Sequence, residues 1–360
     1  MSRTVRALVA IGVVAASVFT AIPAGAARGP KTWVVHPSES VQAIVKKAHP
    51  GDTILLVRGV YTQSVTIKKD GISIRGAGSA SGGTVFKPPA KLPKNSCTRA
   101  SGGAGVCVLG KFDDQGVVTK RVADVTVSGI MFAGWPSMGV FAVGTQDLRI
   151  INNAVFGTGE YGLARFDSLG GVVQNNIVVG GGEAGIYLGD SANAGATVTH
   201  NEVSGAQFGI FIRHSSGITL QLNHAFNNCQ GIMVLDDGQA GGVSDIELRY
   251  NYVTFNNEEC AASGEAPALS GGGILLLGAA NSVVAWNTVR GNTGTEINSG
   301  GIVLMSAADL TDGANPTGNT VTNNTAFQNS PADISSDGTG TGNDLTGNYC
   351  HTSLPSGSCV

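Results

Sequence analysis

The chain has 360 residues, 53 of them glycine, with 13% charged and 42% hydrophobic residues and a formal net charge of −3. That balance excludes a nucleic-acid binder, which needs a basic stripe, and supplies too much apolar material for a disordered chain. Glycine at this level without a fixed three-residue period points to a chain full of tight turns.

Residues 1–26 read as a secretory signal. Arg3 and Arg6 open it, Ala7 to Ile22 are mostly apolar, and Ala24-Gly25-Ala26 fits a small-residue cleavage site. The apolar run is too short for a membrane span, so the mature chain, 27–360, is expected to be secreted and extracellular, without membrane insertion. Six cysteines in an exported chain point to disulfides, and proximity pairs Cys97 with Cys107, Cys229 with Cys260, and Cys350 with Cys359. The sequence leaves other pairings open.

Ser40 to Ala48 places apolar residues at Val41, Ile44, Val45 and Ala48, which predicts a short amphipathic helix within an N-terminal cap at about 33–52. Such a helix would cover the open end of a sheet. From about 53 to 349 the chain is repetitive. A Gly-apolar-x-apolar start recurs at Gly139, Gly162, Gly185, Gly209, Gly231, Gly273 and Gly301, with spacings of 23, 23, 24, 22, 42 and 28 residues. Between these starts an Asn precedes a short apolar run at Asn153, Asn176, Asn201, Asn223, Asn251, Asn287 and Asn324. Each unit holds two or three short β segments that cannot bury their own apolar side. Stacked units would share a core, rising ~4.8 Å per coil, with the asparagines forming an internal ladder. Residues 350–360 read as a disulfide-closed tail.

This pattern resembles the right-handed parallel β-helix proteins, the pectin-lyase-like superfamily that includes pectate lyases, polygalacturonases and alginate epimerases. The stretch from Ser40 to Gly78 looks like that family's cap and first coil. The resemblance implies an all-β, single-domain right-handed parallel β-helix with a short N-terminal capping helix, in a superfamily that mixes lyases, hydrolases, epimerases and plain scaffolds.

Aligning the strands on their glycines turns sequence into columns. One and three residues past each Gly the side chains are aliphatic and predicted to face inward. Two past stand Phe141, Tyr187 and Phe211, a candidate stacking platform for sugar rings. Arg165 falls in an inward column, so either the register shifts there or it pairs with Asp167 or Asp190. It is also a candidate substrate ligand. Five past stand Gly144, Asp167, Asp190, His214, Asp236 and Gly278.

Asp residues after a strand often only cap turns. Yet carboxylates ~5 Å apart oppose one another's ionisation unless a cation intervenes, and Arg213-His214 sits among them. Asp190, Arg213, His214, Asp236 and Asp237 are therefore the candidate catalytic residues. Asp167 with Asp190 form a candidate calcium pair, since calcium favours clustered oxygens.

Arg213 and His214 would suit lyase or C5-epimerase chemistry on an acidic, uronate-containing polysaccharide, Arg213 neutralising the sugar carboxylate and His214 serving as base. Two carboxylates would equally serve an inverting glycoside hydrolase. A non-catalytic carbohydrate-binding or cell-surface scaffold would need only the groove and the aromatics. An open cleft holding Asp190, His214 and Asp236 would favour an enzyme, and their burial under the insertion at Asn256 to Ser270 a scaffold. The polygalacturonase pattern is matched only in part: Asp236-Asp237 has its Asp-Asp, but the next coil, "GILLLG" from Gly273, lacks the Gly-His-Gly.

Overall fold

The computed structural model describes residues 28–262 and 267–360; the secretory-signal reading of 1–26 lies outside them. Most strands assemble into three parallel sheets of eleven; Val122–Ala123 with Thr145–Gln146 forms a small parallel sheet of its own, and Lys111–Phe112 with Val118–Lys120 a small antiparallel one. Each coil contributes one strand to each large sheet, so the molecule is a parallel β-helix.

The predicted helix spans Val41–Lys47, with Ser40 as its N-cap accepting from the Ala43 amide at 3.2 Å and Val41 and Val45 buried beneath it. The first sheet begins earlier than the coil boundary predicted at 53, because Thr32–Val35 already pairs with Thr53–Leu56. At the far end Tyr349–Cys350 and Ser353–Leu354 add the last strands to two of the sheets, so the expected closing tail is itself part of the coil stack. The three disulfides join the cysteines that proximity paired, with Cα separations of 5.4, 5.9 and 5.0 Å.

The repeating glycine has a steric cause. A Cβ on Gly185 would lie 2.2 Å from Val203 Cγ1. Inside each coil, residues such as Ile186, Leu188, Ile210, Ile212, Ile232 and Val234 stack into one continuous apolar core.

The asparagines form the expected ladder. Each Asn from Asn176 to Asn348 accepts, through its side-chain oxygen, from the backbone and side-chain N–H of the Asn one coil earlier, and the series begins at Asn153, whose own oxygen accepts from the Ile130 backbone N–H. A second ladder runs through Asn228, Asn256, Asn292 and Asn329, ending on Asp333. These stacks satisfy the backbone polar groups that the bends between sheets would otherwise bury unpaired.

The residue before each laddered Asn adopts the left-handed backbone conformation. Asn152, Asn175 and Asn323 suit it, but Leu222, Tyr250 and Trp286 take it too, at φ near 56°. A bulky L-residue there costs about 1–2 kcal/mol. Leu222 is 47% exposed. Leu222→Asn is therefore expected to raise stability by about 1 kcal/mol, read as a shift in the urea midpoint.

Candidate functional site

The third sheet carries the site. Its central strands are Met138–Val143, Tyr161–Phe166, Ala184–Ser191, Phe208–Ser215, Gln230–Leu235, Gly272–Leu277 and Gly300–Met305. Their register is the one the glycine alignment predicts: Phe141 pairs with Ala164, Ala164 with Tyr187, Tyr187 with Phe211, and Phe211 with Met233.

The column five past the glycine has a backbone explanation. Gly144, Asp167, Asp190, His214 and Gly278 all adopt positive φ, between 41° and 69°. Gly, Asp and His are among the residues that tolerate this conformation, so the return to Gly at both ends of the column reflects the turn as much as any chemistry. Asp236 breaks the pattern. It is 5% exposed, and its carboxylate accepts from the Gly238 and Ala314 amides, both at 3.0 Å. Its carbonyl accepts from Thr311 Oγ1 at 2.6 Å. Asp236 thus fastens the insertion at Thr311 to Gly318 onto the coil, and it is this insertion, not the one at Asn256, that buries it.

The rest of the column divides into pairs. His214 Nδ1 lies 3.4 Å from Asp190 Oδ1, and its Nε2 lies 3.0 Å from the Ala240 carbonyl oxygen. Arg213 Nε donates to Asp237 Oδ2 at 2.8 Å. Burial raises the Asp237 carboxyl, but hydrogen bonds from Gln239 and the Arg213 charge outweigh it and hold the group below the ordinary range. Asp167 is bound by Arg121, whose Nη2 donates to Oδ1 at 2.7 Å. Among the described residues no three His, Cys, Asp or Glu side chains cluster as a metal site. Asp167 and Asp190 offer two carboxylates, one already compensated, where calcium takes six to eight oxygens.

Arg165 requires a correction. Neither expected alternative holds: the register is unshifted, and among the described residues the side chain pairs with no carboxylate. It lies inside the coil, 2% exposed, with Nη2 donating to the Gly170 carbonyl at 2.6 Å, so no ligand reaches it. Nε and Nη1 find no partner among the described residues, and burial, only partly opposed by Asp147, draws the guanidinium down to about 10. A buried cation so poorly satisfied is costly. Arg165→Met is expected to stabilise the fold by about 2 kcal/mol, read by urea unfolding.

The aromatics point out of the coil as predicted but are largely covered. Phe141, Tyr187 and Phe211 are buried among Tyr161, Phe166 and Phe208, with Tyr161 and Tyr187 stacked at 4.5 Å between centroids. Phe211 still borders a groove of about 600 Å³ lying over this sheet. Its floor is Phe208, Phe211, Met233 and Leu235. One wall is Leu269, from the insertion that Cys229–Cys260 anchors, and the other is Leu310 and Thr311. Arg213 lines it; Asp190, His214, Asp236 and Asp237 do not. Asp190 borders a second depression beside it, with Phe141, Asp167 and Glu160.

The groove's carboxylates come from a column that counting forward from the glycines misses. Two residues before the Gly, consecutive coils place Ser137, Glu160, Glu183 and Gln207, linked rung to rung by backbone bonds such as Glu160 N to Ser137 O and Glu183 N to Glu160 O, both 2.9 Å. The signal is in the sequence: "EYG" at Glu160, "EAG" at Glu183 and "QFG" at Gln207 recur with the repeat. Ser137 Oγ donates to Glu160 Oε2 at 2.7 Å. Glu183 is raised above the ordinary carboxyl value, first by burial and then by Glu160, against the lowering pull of the Tyr161 hydroxyl and Arg213. Burial, joined by Glu183, also drives the Tyr161 phenol well above its ordinary value, and burial with Asp190 does the same to Tyr187.

A family model described as a right-handed beta helix region matches residues 57–225. The fold is a right-handed parallel β-helix. No curated protein matches it in sequence. Among solved structures, this β-helix is similar to DFA-IIIase from Arthrobacter chlorophenolicus A6 in complex with DFA-III, at 15% identity and TM-score 0.64, covering 89% of this chain and 84% of that one. It is also similar to the mannuronan C-5 epimerase A-module of Azotobacter vinelandii, at 17% identity and TM-score 0.52, over 86% of this chain and 92% of that one. The Dettilon tailspike protein matches at 16% identity and TM-score 0.53, over 88% of this chain and 66% of its own. At such identities these likenesses speak for the fold. Among the described residues no helix is long and apolar enough to cross a membrane.

Proposed function

We propose that this β-helix protein is a polysaccharide-active enzyme that cleaves a glycosidic bond in the groove over the third sheet, with Glu183 as the acid. The observation that carries the reading is Glu183 itself: a carboxyl raised by burial, at the edge of an apolar-floored groove, one rung from a second carboxylate. Two carboxyl groups in unlike environments are the requirement for glycoside cleavage. Glu183 gives its proton to the glycosidic oxygen as the C–O bond breaks. Glu160, steadied by Ser137, adds through its carboxylate to the anomeric carbon to form a glycosyl ester. A water that gives a proton to Glu183 then displaces Glu160, restoring both carboxyl groups. Their backbones stand one rise apart, ~4.8 Å, nearer the ~5–5.5 Å of retaining enzymes than the ~6.5–9.5 Å of inverting ones. The carboxylate pair read first, Asp190 with Asp236, is a poorer choice because Asp236 is committed to the Thr311 insertion.

Arg213 favours a second reading, lyase or C5-epimerase action on an acidic polysaccharide, in which it neutralises a uronate carboxylate. That chemistry also needs a base. Tyr161 and Tyr187 hold their protons tightly, and His214, beside Asp190 and the Ala240 carbonyl, does not line the groove, so the hydrolytic reading is preferred. Three disulfides support work outside the cytoplasm. The DFA-IIIase and epimerase likenesses support a carbohydrate partner.

The test is a panel of neutral and acidic polysaccharides, assayed for new reducing ends and for the ultraviolet absorbance of unsaturated products. Reducing ends without that absorbance are expected. Unsaturated products would favour the lyase reading, and no product on any polymer would leave a binding scaffold.

A further inference from the structure

Aromatic side chains also gather away from the groove, and there they are exposed. The bend from the first sheet to the second is the corner that the third sheet does not border. Each coil places its left-handed residue there: Asn152, Asn175 and Asn323 toward the ends of the series, Leu222, Tyr250 and Trp286 between them. The last three are 47%, 52% and 46% exposed. Tyr250 and Trp286 stand on successive coils with their rings 11° from parallel and centroids 5.6 Å apart. Tyr252, 43% exposed, carries the surface onto the second sheet, where it packs on His224.

The fold does not ask for these residues. Asn is what the left-handed turn favours, and the coils that carry it show that the turn works with it. One aromatic stack contributes less than two bulky left-handed residues cost the backbone. Strain kept at an exposed position argues for a ligand.

The chemistry of the corner names the ligand. Trp and Tyr pair a broad apolar ring with a polar tip. The charge beside them, Arg249, has its Cζ 5.1 Å from the Trp286 ring centre and its Nε 3.4 Å from Glu247 Oε2, so the surface is close to neutral. A neutral sugar chain, with apolar C–H faces and hydroxyl edges, complements such a surface, whereas a polyanion finds no unbalanced cation. A second copy of the chain fits less well. Four side chains at about half exposure present roughly 400 Å², half of the ~800 Å² that each partner of a stable dimer buries.

We infer that Leu222, Tyr250, Tyr252 and Trp286 form a docking site for a neutral polysaccharide, separate from the groove. The inference rests on the partner being a polysaccharide and is independent of the catalytic assignment. A chain held at this corner stays near the protein and raises the local concentration of polymer at the groove.

The test is affinity electrophoresis of the full chain in gels holding neutral mixed-linkage β-glucan, galactomannan, arabinoxylan or levan, or acidic alginate or polygalacturonate. The chain carries Glu183→Gln so that the polymer stays intact, with and without the pair Tyr250→Asn and Trp286→Asn. Asn is the residue that other coils place at this position, and circular dichroism checks that the double variant is folded. At least one neutral polymer is expected to retard the parent, and the double substitution to weaken that binding about tenfold. Of the three tryptophans Trp286 is the exposed one, and none lines the groove, so the same polymer is expected to shift the parent's fluorescence and leave the double variant's unmoved. Retardation by acidic polymers alone, no retardation by any neutral one, or retardation and emission undiminished by the double substitution overturns the inference. So does a parent that light scattering finds dimeric beside a monomeric double variant, because a second copy then covers the corner. Turnover by the chain with Glu183 intact reads the catalytic assignment separately: neutral binding at the corner without turnover sinks that assignment and leaves the docking site standing.

Discussion

Glu183→Gln is expected to lower turnover by about 10²–10⁴-fold while making the protein more stable at neutral pH. Both effects have one origin. Burial, reinforced by Glu160, raises the folded-state carboxyl above its ordinary value of 4.5, so the folded protein holds this proton more firmly than the unfolded chain does. Below pH 4.5 the group is protonated in both states and costs the fold nothing. As pH rises through 4.5 toward the raised folded value, the unfolded chain gives up its proton first and the native state loses stability. Gln resembles the protonated form and escapes that loss. The Tm difference between variant and parent should thus be absent in acid, open above pH 4.5 and reach a plateau. Turnover by the parent should fall on the alkaline side as the same proton is lost. A variant that keeps its activity, or one less stable than its parent at neutral pH, would contradict the assignment.

Asn201→Ala carries the largest expected cost to the fold, about 3–5 kcal/mol in urea unfolding followed by circular dichroism. Asn201 Nδ2 donates to the Val173 carbonyl at 3.0 Å and to Asn223 Oδ1 at 2.9 Å, while its own Oδ1 accepts from Asn176 N at 3.0 Å and Asn176 Nδ2 at 2.9 Å. Alanine removes all of these at once and leaves the Asn176 backbone N–H buried without its acceptor, while Asn223 Oδ1 keeps only the Asn201 backbone N–H. Neither the bend nor its neighbours can turn to water, since Asn201 is 1% exposed. A loss below about 1 kcal/mol would mean that the ladder is ornament to a coil held by its apolar core alone. Leu222→Asn, on the same bend one coil later but facing solvent, is the contrasting case with the opposite sign.

The fold was legible because its constraints are local and repeated. The glycine that avoids Val203, the asparagine that bonds its copy one coil away and the inward aliphatic pair each leave a mark in every turn, so strand register followed from alignment alone. The cap helix was legible through Ser40 and the spacing of Val41 and Val45. The site was harder to read for the same reason. His214 and its acidic neighbours stood out by residue type, yet that type is what a left-handed turn selects, and the turn could not be seen in the sequence. Asp236 matched the column while its partners, Thr311 and Ala314, lay two insertions away. Arg121 on Asp167 comes from a coil outside the regular repeat. Glu160, Glu183 and Gln207 were present as a repeating column all along, but what marks Glu183 as an acid is its burial beside Tyr161 and Arg213, a property of packing.

Glu183 holding its proton inside the groove is what would make the groove an active site, and it is directly measurable. The side-chain carboxyl ¹³C resonance of Glu183, followed through pH, should titrate with a midpoint above 4.5 in the free protein and respond when a bound oligosaccharide enters the groove. A midpoint at or below 4.5, unmoved by any glycan, would contradict the assignment of Glu183 as the acid.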